Sequence, residues 1–174
     1  MLDRQGRAMH LKPAGMPATP HPADLRACRI LLAEDGVDNQ RLIVHLLQKA
    51  GAEVVLVENG KLATEAVLAA RDAGKPFDVV LMDMQMPVMD GYEATALLRR
   101  HEYSGSIVAL TAHAMEGDRR RCLDAGCDDY LSKPMSREEL LETVAQHARR
   151  SRLPSEAEPR DKSADGHAPG TNIP

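Results

Sequence analysis

Polar side chains directly follow each of five short apolar runs, and those that follow four of the runs are candidates for chemistry. Glu34 and Asp35 follow "RILLA", Asp83 follows "DVVLM", Thr111 follows "SIVAL", and Lys133 follows "DDYLS". Carboxylates held close together repel one another unless a cation joins them. Mg²⁺ is a hard cation that binds one or two carboxylates together with waters and phosphate oxygens. The three carboxylates therefore predict a magnesium site.

The same residues could carry out phosphoryl transfer. One carboxylate of such a site can act as a nucleophile and form an acyl phosphate. The charge of the phosphoryl group then requires a cation and a hydrogen-bond donor, which Lys133 and Thr111 supply. Each residue taken alone also fits a solvated loop, a helix cap or a turn. Their joint occurrence at the ends of successive apolar runs favours the phosphoryl-transfer interpretation.

Alternating strands and helices must position these residues. The predicted strands are 29–33, 53–57, 78–82, 106–110 and 128–132, and the predicted helices are 38–50, 60–73, 91–101, 115–124 and 136–149. Four of the strands are dense in Val, Ile and Leu, as strands covered on both faces are. This pattern predicts an α/β fold with a parallel sheet, in which sites form at the carboxyl ends of the strands. The second strand ends in Glu58 and Asn59, which predicts an edge strand away from the site.

Composition limits the classes of function. The net charge of -4 gives no basic footprint for nucleic acid, so we expect no direct DNA binding. No apolar run approaches the roughly 20 residues of a membrane span, and the N-terminal residues lack the apolar centre of a secretory signal. We therefore expect a soluble, cytoplasmic protein without a membrane partner. The three cysteines lack C-x-x-C spacing, which predicts reduced thiols and no zinc site.

The ends of the chain differ from its centre. Residues 1–27 are rich in Pro and Ala, and residues 151–174 are polar with several Pro and Gly, so neither segment can bury much surface. We predict a disordered Pro-rich leader over 1–27, one domain over 28–150 and a disordered tail over 151–174. Only one helix and this short tail follow Lys133, so we expect no DNA-binding or enzymatic output domain.

Residues 29–148 resemble the receiver domains of two-component response regulators, in particular those attached to hybrid histidine kinases. The segments "ILLAED", "DVVLMDMQMPVMDGYEAT" and "IVALTAHAMEGDRRRCLDAGCDDYLSKP" carry the resemblance in both order and spacing. It implies a doubly wound five-stranded parallel sheet of flavodoxin-like order 2-1-3-4-5, with helices on both faces.

The resemblance also implies a role for each metal-site residue. Asp83 matches the phosphoacceptor, and Asp35 matches the direct Mg²⁺ ligand. Glu34 matches a partner that acts largely through metal-bound water. The backbone carbonyl of Gln85 would complete the protein's share of the metal shell.

A second group of matching residues responds to the phosphoryl group. Thr111 resembles the switch hydroxyl that moves onto this group, while Lys133 contacts it by charge. Tyr130 matches the aromatic side chain that changes rotamer with the threonine. The resemblance further implies a cis Lys133–Pro134 bond.

The sequence departs from the family pattern at a few positions. Gly36 stands where receivers of hybrid kinases commonly have Asn, which is expected to loosen the loop that bears the metal ligands. Glu replaces Asp at position 34, which is expected to alter metal affinity. Gln85 and His113 occupy positions that tune dephosphorylation in the family.

The expected partner is a histidine kinase or a histidine phosphotransfer protein. Phosphorylation would remodel the face of the fourth helix, fifth strand and fifth helix, which Arg119, Arg120 and Arg121 would make basic, for a downstream protein. Alternatively, the domain relays its phosphoryl group to a phosphotransfer protein that docks on the first helix. We expect no enzyme activity beyond the domain's own phosphorylation and dephosphorylation.

Two other functions use related features. A phosphohydrolase of haloacid-dehalogenase type also has an aspartate after a strand, but it needs a second Asp two residues later, where Gln85 stands. A flavodoxin-like electron carrier shares the fold, but its phosphate cradle needs Ser, Thr and amide donors, and the loop "EDGVDN" is acidic.

Overall fold

The computed structural model of the chain describes residues 24–112 and 116–152. Its strands are β1 (Arg29–Ala33), β2 (Glu53–Val57), β3 (Val79–Asp83), β4 (Ser106–Thr111) and β5 (Asp129–Ser132). Its helices are α1 (Val37–Lys49), α2 (Gly60–Asp72), α3 (Gly91–Arg100), α4 (Glu116–Ala125) and α5 (Arg137–Arg152). These bounds confirm each predicted strand and helix to within a few residues. No helix in the described ranges is long and apolar enough to cross a membrane.

The strands form one parallel sheet in the order β2-β1-β3-β4-β5, which confirms the predicted fold class. β2 lies at one edge, as the polar residues after it indicated. The carboxyl ends of β1 and β3 are neighbours in the middle of the sheet, and that of β4 lies beside β3. The site residues therefore come from adjacent strand ends.

Alternate residues of the strands pack into two separate cores. In β1, Ile30 and Leu32 face a core completed by α1 and α5. Leu31 and Ala33 face the opposite core, which α2, α3 and α4 cover. β3 is buried along its whole length, because it lies between β1 and β4 with helices on both faces. This burial fixes the strand that carries Asp83.

The packed domain extends beyond both predicted boundaries. Leu25 is fully buried, and its amide donates a hydrogen bond to the carbonyl of Ala50. At the other end α5 continues to Arg152, whose guanidinium pairs with Asp78 at 3.0 Å. The composition of these short segments resembles that of the tails, so their tertiary contacts could not be predicted from it. The remainder of the predicted leader and tail, and His113, lie outside the described residues.

A tight turn follows the strand that carries Asp83. Asp90 precedes α3, and its Oδ1 accepts a hydrogen bond of 2.8 Å from the amide of Glu93. This is the N-cap arrangement that favours Asp before a helix. Gly91 then passes so close to the end of β3 that a Cβ atom there would lie 2.2 Å from the carbonyl oxygen of Asp83. Asp90 therefore caps α3, and Gly91 allows the start of α3 to lie directly against the end of β3.

Replacing Gly91 by Ala should destabilise the domain. The added Cβ would clash with backbone, which cannot move without displacing Asp83, and overpacking of this kind costs about 1–3 kcal/mol. Gly117→Ala is the matched control, because a Cβ there meets no atom within 4 Å in the described structure. The control should stabilise α4 by up to about 1 kcal/mol, since Ala favours helix over Gly. Urea unfolding measures both, and equal effects of the two substitutions would contradict the close approach.

Candidate functional site

Lys133 bridges two buried carboxylates at the carboxyl end of the sheet. Its Nζ donates a hydrogen bond of 2.6 Å to Oε2 of Glu34 and another of 2.6 Å to Oδ2 of Asp83. The two acceptors are 1% and 7% exposed at their side chains, and the lysine side chain is 18% exposed. Three residues that are distant in sequence therefore meet in one ion-pair network. The Lys133–Pro134 bond that follows is cis, as the resemblance implied.

The environment of Asp83 disfavours its charged form. Burial raises the pKa of Asp83, while the amide of Gln85, at 3.0 Å from Oδ1, and the ammonium of Lys133 act in the opposite direction. Burial lowers the pKa of Lys133, but its hydrogen bonds to Asp83 and Glu34 outweigh this effect, so that the pKa is raised. The site thus combines a carboxylate whose charged form burial disfavours with an ammonium group whose charged form its hydrogen bonds favour.

Three groups from the start of α1 hold Glu34. The amide of Gly36 and the Nδ2 of Asn39 both donate to Oε1 at 3.1 Å, and the Nε2 of Gln40 donates to the Glu34 carbonyl at 2.7 Å. A Cβ at position 36 would lie 2.9 Å from the same Oε1. Gly36 therefore leaves room for a carboxylate that points back at the loop.

The sequence reasoning missed Asn39 and Gln40. Gln40 is buried on the same helical stripe as Ile43 and Leu47. A polar residue on an otherwise apolar stripe was a signal that could have found it, because such a side chain needs a buried partner.

The three predicted carboxylates converge. One oxygen from each of Glu34, Asp35 and Asp83 lies within 4.8 Å of the others, and Asp35 is the exposed member. Within residues 24–112 and 116–152, Lys133 is the cation that forms salt bridges with this group of carboxylates. An oxygen-only donor set with excess negative charge fits Mg²⁺. The backbone carbonyl of Gln85 as a further ligand stays a prediction.

The two predicted switch residues lie on neighbouring strands. Thr111 is buried at the end of β4 and lines the cleft beside the carboxylates. Its carbonyl accepts a hydrogen bond of 2.7 Å from the amide of Lys133. Tyr130 lies in β5, paired with Ala109 of β4, and its ring lies 5.8 Å from the guanidinium carbon of Arg119. Coupled motion of the two side chains stays a prediction.

A cleft of about 590 Å³ opens in front of the site. Residues of β4, α3, α4 and the loops that follow β1 and β3 line it: Asp35, Met84, Gln85, Met86, Pro87, Asp90, Tyr92, Thr111, Asp118 and Arg121. The guanidinium of Arg121 lies 4.5 Å from the centre of the Tyr92 ring. We expected Arg121 on the face of α4, β5 and α5, but it points to α3 and the cleft instead. The sequence shows three consecutive arginines, but it does not show the direction in which each side chain points.

The family model for the response regulator receiver domain matches residues 30–145. Sensor protein GacS of Pseudomonas syringae pv. syringae is 46% identical over 128 residues, which are 71% of this chain and 14% of GacS. The two-component response regulator ORR41 of Oryza sativa subsp. japonica is 43% identical over 114 residues, covering 64% of this chain and 87% of that protein. The chain thus spans a small part of GacS and most of ORR41.

Two solved structures have the same architecture. The receiver domain of sensor histidine kinase PA1611 from Pseudomonas aeruginosa PAO1, with a magnesium ion coordinated in its active-site cleft, superposes with a TM-score of 0.63 at 41% identity. The match covers 70% of this chain and 97% of that one. The Saccharomyces cerevisiae complex of the phosphotransfer protein Ypd1 with the receiver domain of Ssk1 gives 0.65 at 29% identity, covering 74% and 94% of the respective chains.

Replacing Asp83 by Asn should raise the free energy of unfolding at neutral pH in buffer without divalent cations. The folded-state pKa of Asp83 lies above its ordinary value of 3.8, so the folded protein binds this proton more tightly than the unfolded chain does. Ionisation therefore lowers stability, and this loss develops as pH rises through the folded-state pKa. In urea unfolding the gain should grow as the pH rises from the ordinary pKa of 3.8 to the folded-state pKa of Asp83, and it should stay constant at higher pH. Absence of a gain at neutral pH, or a gain that shrinks as pH rises, would contradict the raised pKa of Asp83.

Proposed function

Because the chain belongs to the family of response regulator receiver domains, we propose that it accepts a phosphoryl group on Asp83 from a histidine kinase or a phosphotransfer protein. The observation that carries the proposal is the bridge of Lys133 between Asp83 and Glu34, both at 2.6 Å. This bridge places a fixed cation beside a carboxylate at the rim of an open cleft. Phosphoryl transfer needs such a cation, because the negative charge on the phosphoryl group must be stabilised during the transfer.

Asp83 is the nucleophile in this proposal. Its two oxygens each accept one hydrogen bond, from Lys133 and from the amide of Gln85, and each retains a lone pair. The buried strand β3 fixes the carboxylate, so that little orientational freedom is lost when the donor arrives. Lys133 would contact the transferred phosphoryl group by charge, and the hydroxyl of Thr111 would donate a hydrogen bond to it. The domain would catalyse only its own phosphorylation and dephosphorylation.

Mg²⁺ completes the proposed site. Asp35 would bind it directly, Asp83 would share it, and Glu34 would act through metal-bound water. When bound, the ion neutralises charge on the carboxylates and on the phosphoryl oxygens. The contacts of Glu34 with Lys133, Gly36 and Asn39 support an indirect role, because three donors contact its two carboxylate oxygens, whereas Asp83 has two donors.

The face around α1 is the proposed docking surface for a phosphotransfer protein. α1 begins at Val37, two residues after Asp35, and it exposes 55% of Val37 and 57% of Leu42. Apolar side chains exposed next to an acidic site are suited to a protein partner that must bring a histidine to Asp83. The similarity to the Ssk1 receiver, which was solved with Ypd1, supports this choice of partner.

A second output would run through α4, β5 and α5. Phosphorylation would draw Thr111 toward the phosphoryl group and free space for Tyr130, which shifts the population of two states of this face. Tyr130 is partly buried against the core, and Arg119 lies over its ring. A downstream protein that binds one state better would then sense phosphorylation.

Incubation with acetyl phosphate and Mg²⁺ should add one phosphoryl group that is stable to acid and labile to hydroxylamine. Asp83→Asn should abolish the labelling, because the amide lacks the nucleophilic carboxylate. Chelation of Mg²⁺ should abolish it as well. The chain contains no tryptophan, so intact-protein mass spectrometry and phosphoprotein gels are suitable measurements.

Asp90→Asn is the matched control for this experiment. Asn is as good an N-cap as Asp, so α3 should form, and labelling should persist. Full labelling of Asp83→Asn, or loss of labelling in Asp90→Asn alone, would overturn the assignment of the phosphoacceptor.

A further inference from the structure

In the part of the chain that the structure describes, the cleft beside Asp83 holds one guanidinium among carboxylates. Asp35, Asp90 and Asp118 line it together with Arg121. In the described part of the chain Arg121 forms no salt bridge, and its contact is the face of the Tyr92 ring at 4.5 Å. A guanidinium stacked on an aromatic ring keeps its N–H groups free at the edge for an anionic ligand.

Three consecutive arginines of α4 point in three directions, because successive residues of a helix are about 100° apart. Arg119 lies over Tyr130 of β5. The exposed side chain of Arg120 lies 4.0 Å from Asp124 on the next turn. Of the three, Arg121 lines the cleft of the phosphoacceptor. The position of Arg121 suits a ligand that enters this cleft.

Phosphodonors fall into two chemical classes by their leaving groups. When the Asp83 oxygen attacks an acyl phosphate, the new O–P bond forms as the P–O bond to the acyl group breaks. The carboxylate leaves with the electron pair and one negative charge. When the donor is a phosphoramidate or a phosphohistidine, the N–P bond breaks, and the protonated nitrogen leaves as a neutral amine or imidazole. Only the first class presents an anionic leaving group to a nearby cation.

We propose that Arg121 determines specificity for acyl phosphates by binding the acyl oxygen and stabilising the leaving carboxylate. This proposal rests on the role of Asp83 as phosphoacceptor. Planar guanidinium groups bind carboxylates with two parallel hydrogen bonds, which suits a leaving group of this shape. Donors that release a neutral nitrogen gain little from the same contact. Arg121 therefore adds reactivity toward metabolites of the acyl phosphate class to the reaction with the phosphohistidine donors of the proposed function, which gain little from it.

If Arg121 had a purely structural role, a different result would be expected. If Arg121 served only to hold α4 against Tyr92 of α3, its loss would disturb the cleft for every donor. The ratio of rates with the two donor classes separates these roles, because it does not depend on the fraction of folded protein.

The test compares initial rates of phosphorylation by acetyl phosphate and by phosphoramidate at one Mg²⁺ concentration. Arg121→Ala should lower the acetyl phosphate rate about fivefold, the upper size expected for one exposed charge-assisted contact. Its phosphoramidate rate should stay within about twofold, since the neutral leaving group gains little from a charged hydrogen bond. Arg121→Lys should retain part of the preference, and added salt should reduce the preference of the wild type. Arg120→Ala, which removes the same charge from the same helix, should change neither rate.

An equal fall with both donors, or no fall with acetyl phosphate, would overturn the role of Arg121. A change in Arg120→Ala as large as that in Arg121→Ala would also overturn it, since net charge alone would then explain the effect. A different result would show that Asp83 is not the phosphoacceptor: both donors would then still label Asp83→Asn.

Discussion

The ammonium group of Lys133 joins the ends of three strands. It follows β5 at the edge region of the sheet and reaches Asp83 on β3 and Glu34 after β1. Without it, three carboxylates within 4.8 Å would face one another with no cation of the described structure between them. Much of the local architecture supports this contact: β3 buries Asp83, and the start of α1 turns Glu34 toward the lysine. The acidic site can exist in the folded protein because this one cation is held in place.

The same interaction leaves the site incompletely neutralised. One ammonium group opposes three carboxylates, and burial raises the pKa of Asp83 despite its hydrogen bonds. A divalent cation would neutralise part of this negative charge. A bound group with hydrogen-bond acceptors would form hydrogen bonds with Lys133 and Thr111. Sites of this kind commonly sacrifice stability for function.

The sequence was sufficient to locate the strands and the polar residues that follow them, for a physical reason. Strands covered on both faces read as dense apolar runs, and the first polar residue after each run must lie at the sheet's carboxyl edge. Asp83, Thr111 and Lys133 could be placed in this way. The resemblance to receiver domains added the strand order, which periodicity alone does not give.

Other features depend on contacts that the local sequence does not encode. Gln40 reads as a break in an apolar stripe until its hydrogen bond to the carbonyl of Glu34 is seen. Leu25 stands in a segment of tail-like composition, and its burial becomes apparent once α1 and β2 are in place. The orientation of Arg121 follows from the packing of α4 against α3, which brings its guanidinium to 4.5 Å from the centre of the Tyr92 ring. Tertiary packing decides each of these features.

The most direct measurement is the position of the phosphoryl group in the chain. Borohydride reduces an aspartyl phosphate to homoserine, so phosphorylated and reduced protein can be digested and sequenced by mass spectrometry. We expect homoserine at position 83 and unmodified aspartate at positions 35 and 90. Homoserine at either of those positions, or none in protein that carries a phosphoryl group, would contradict the account.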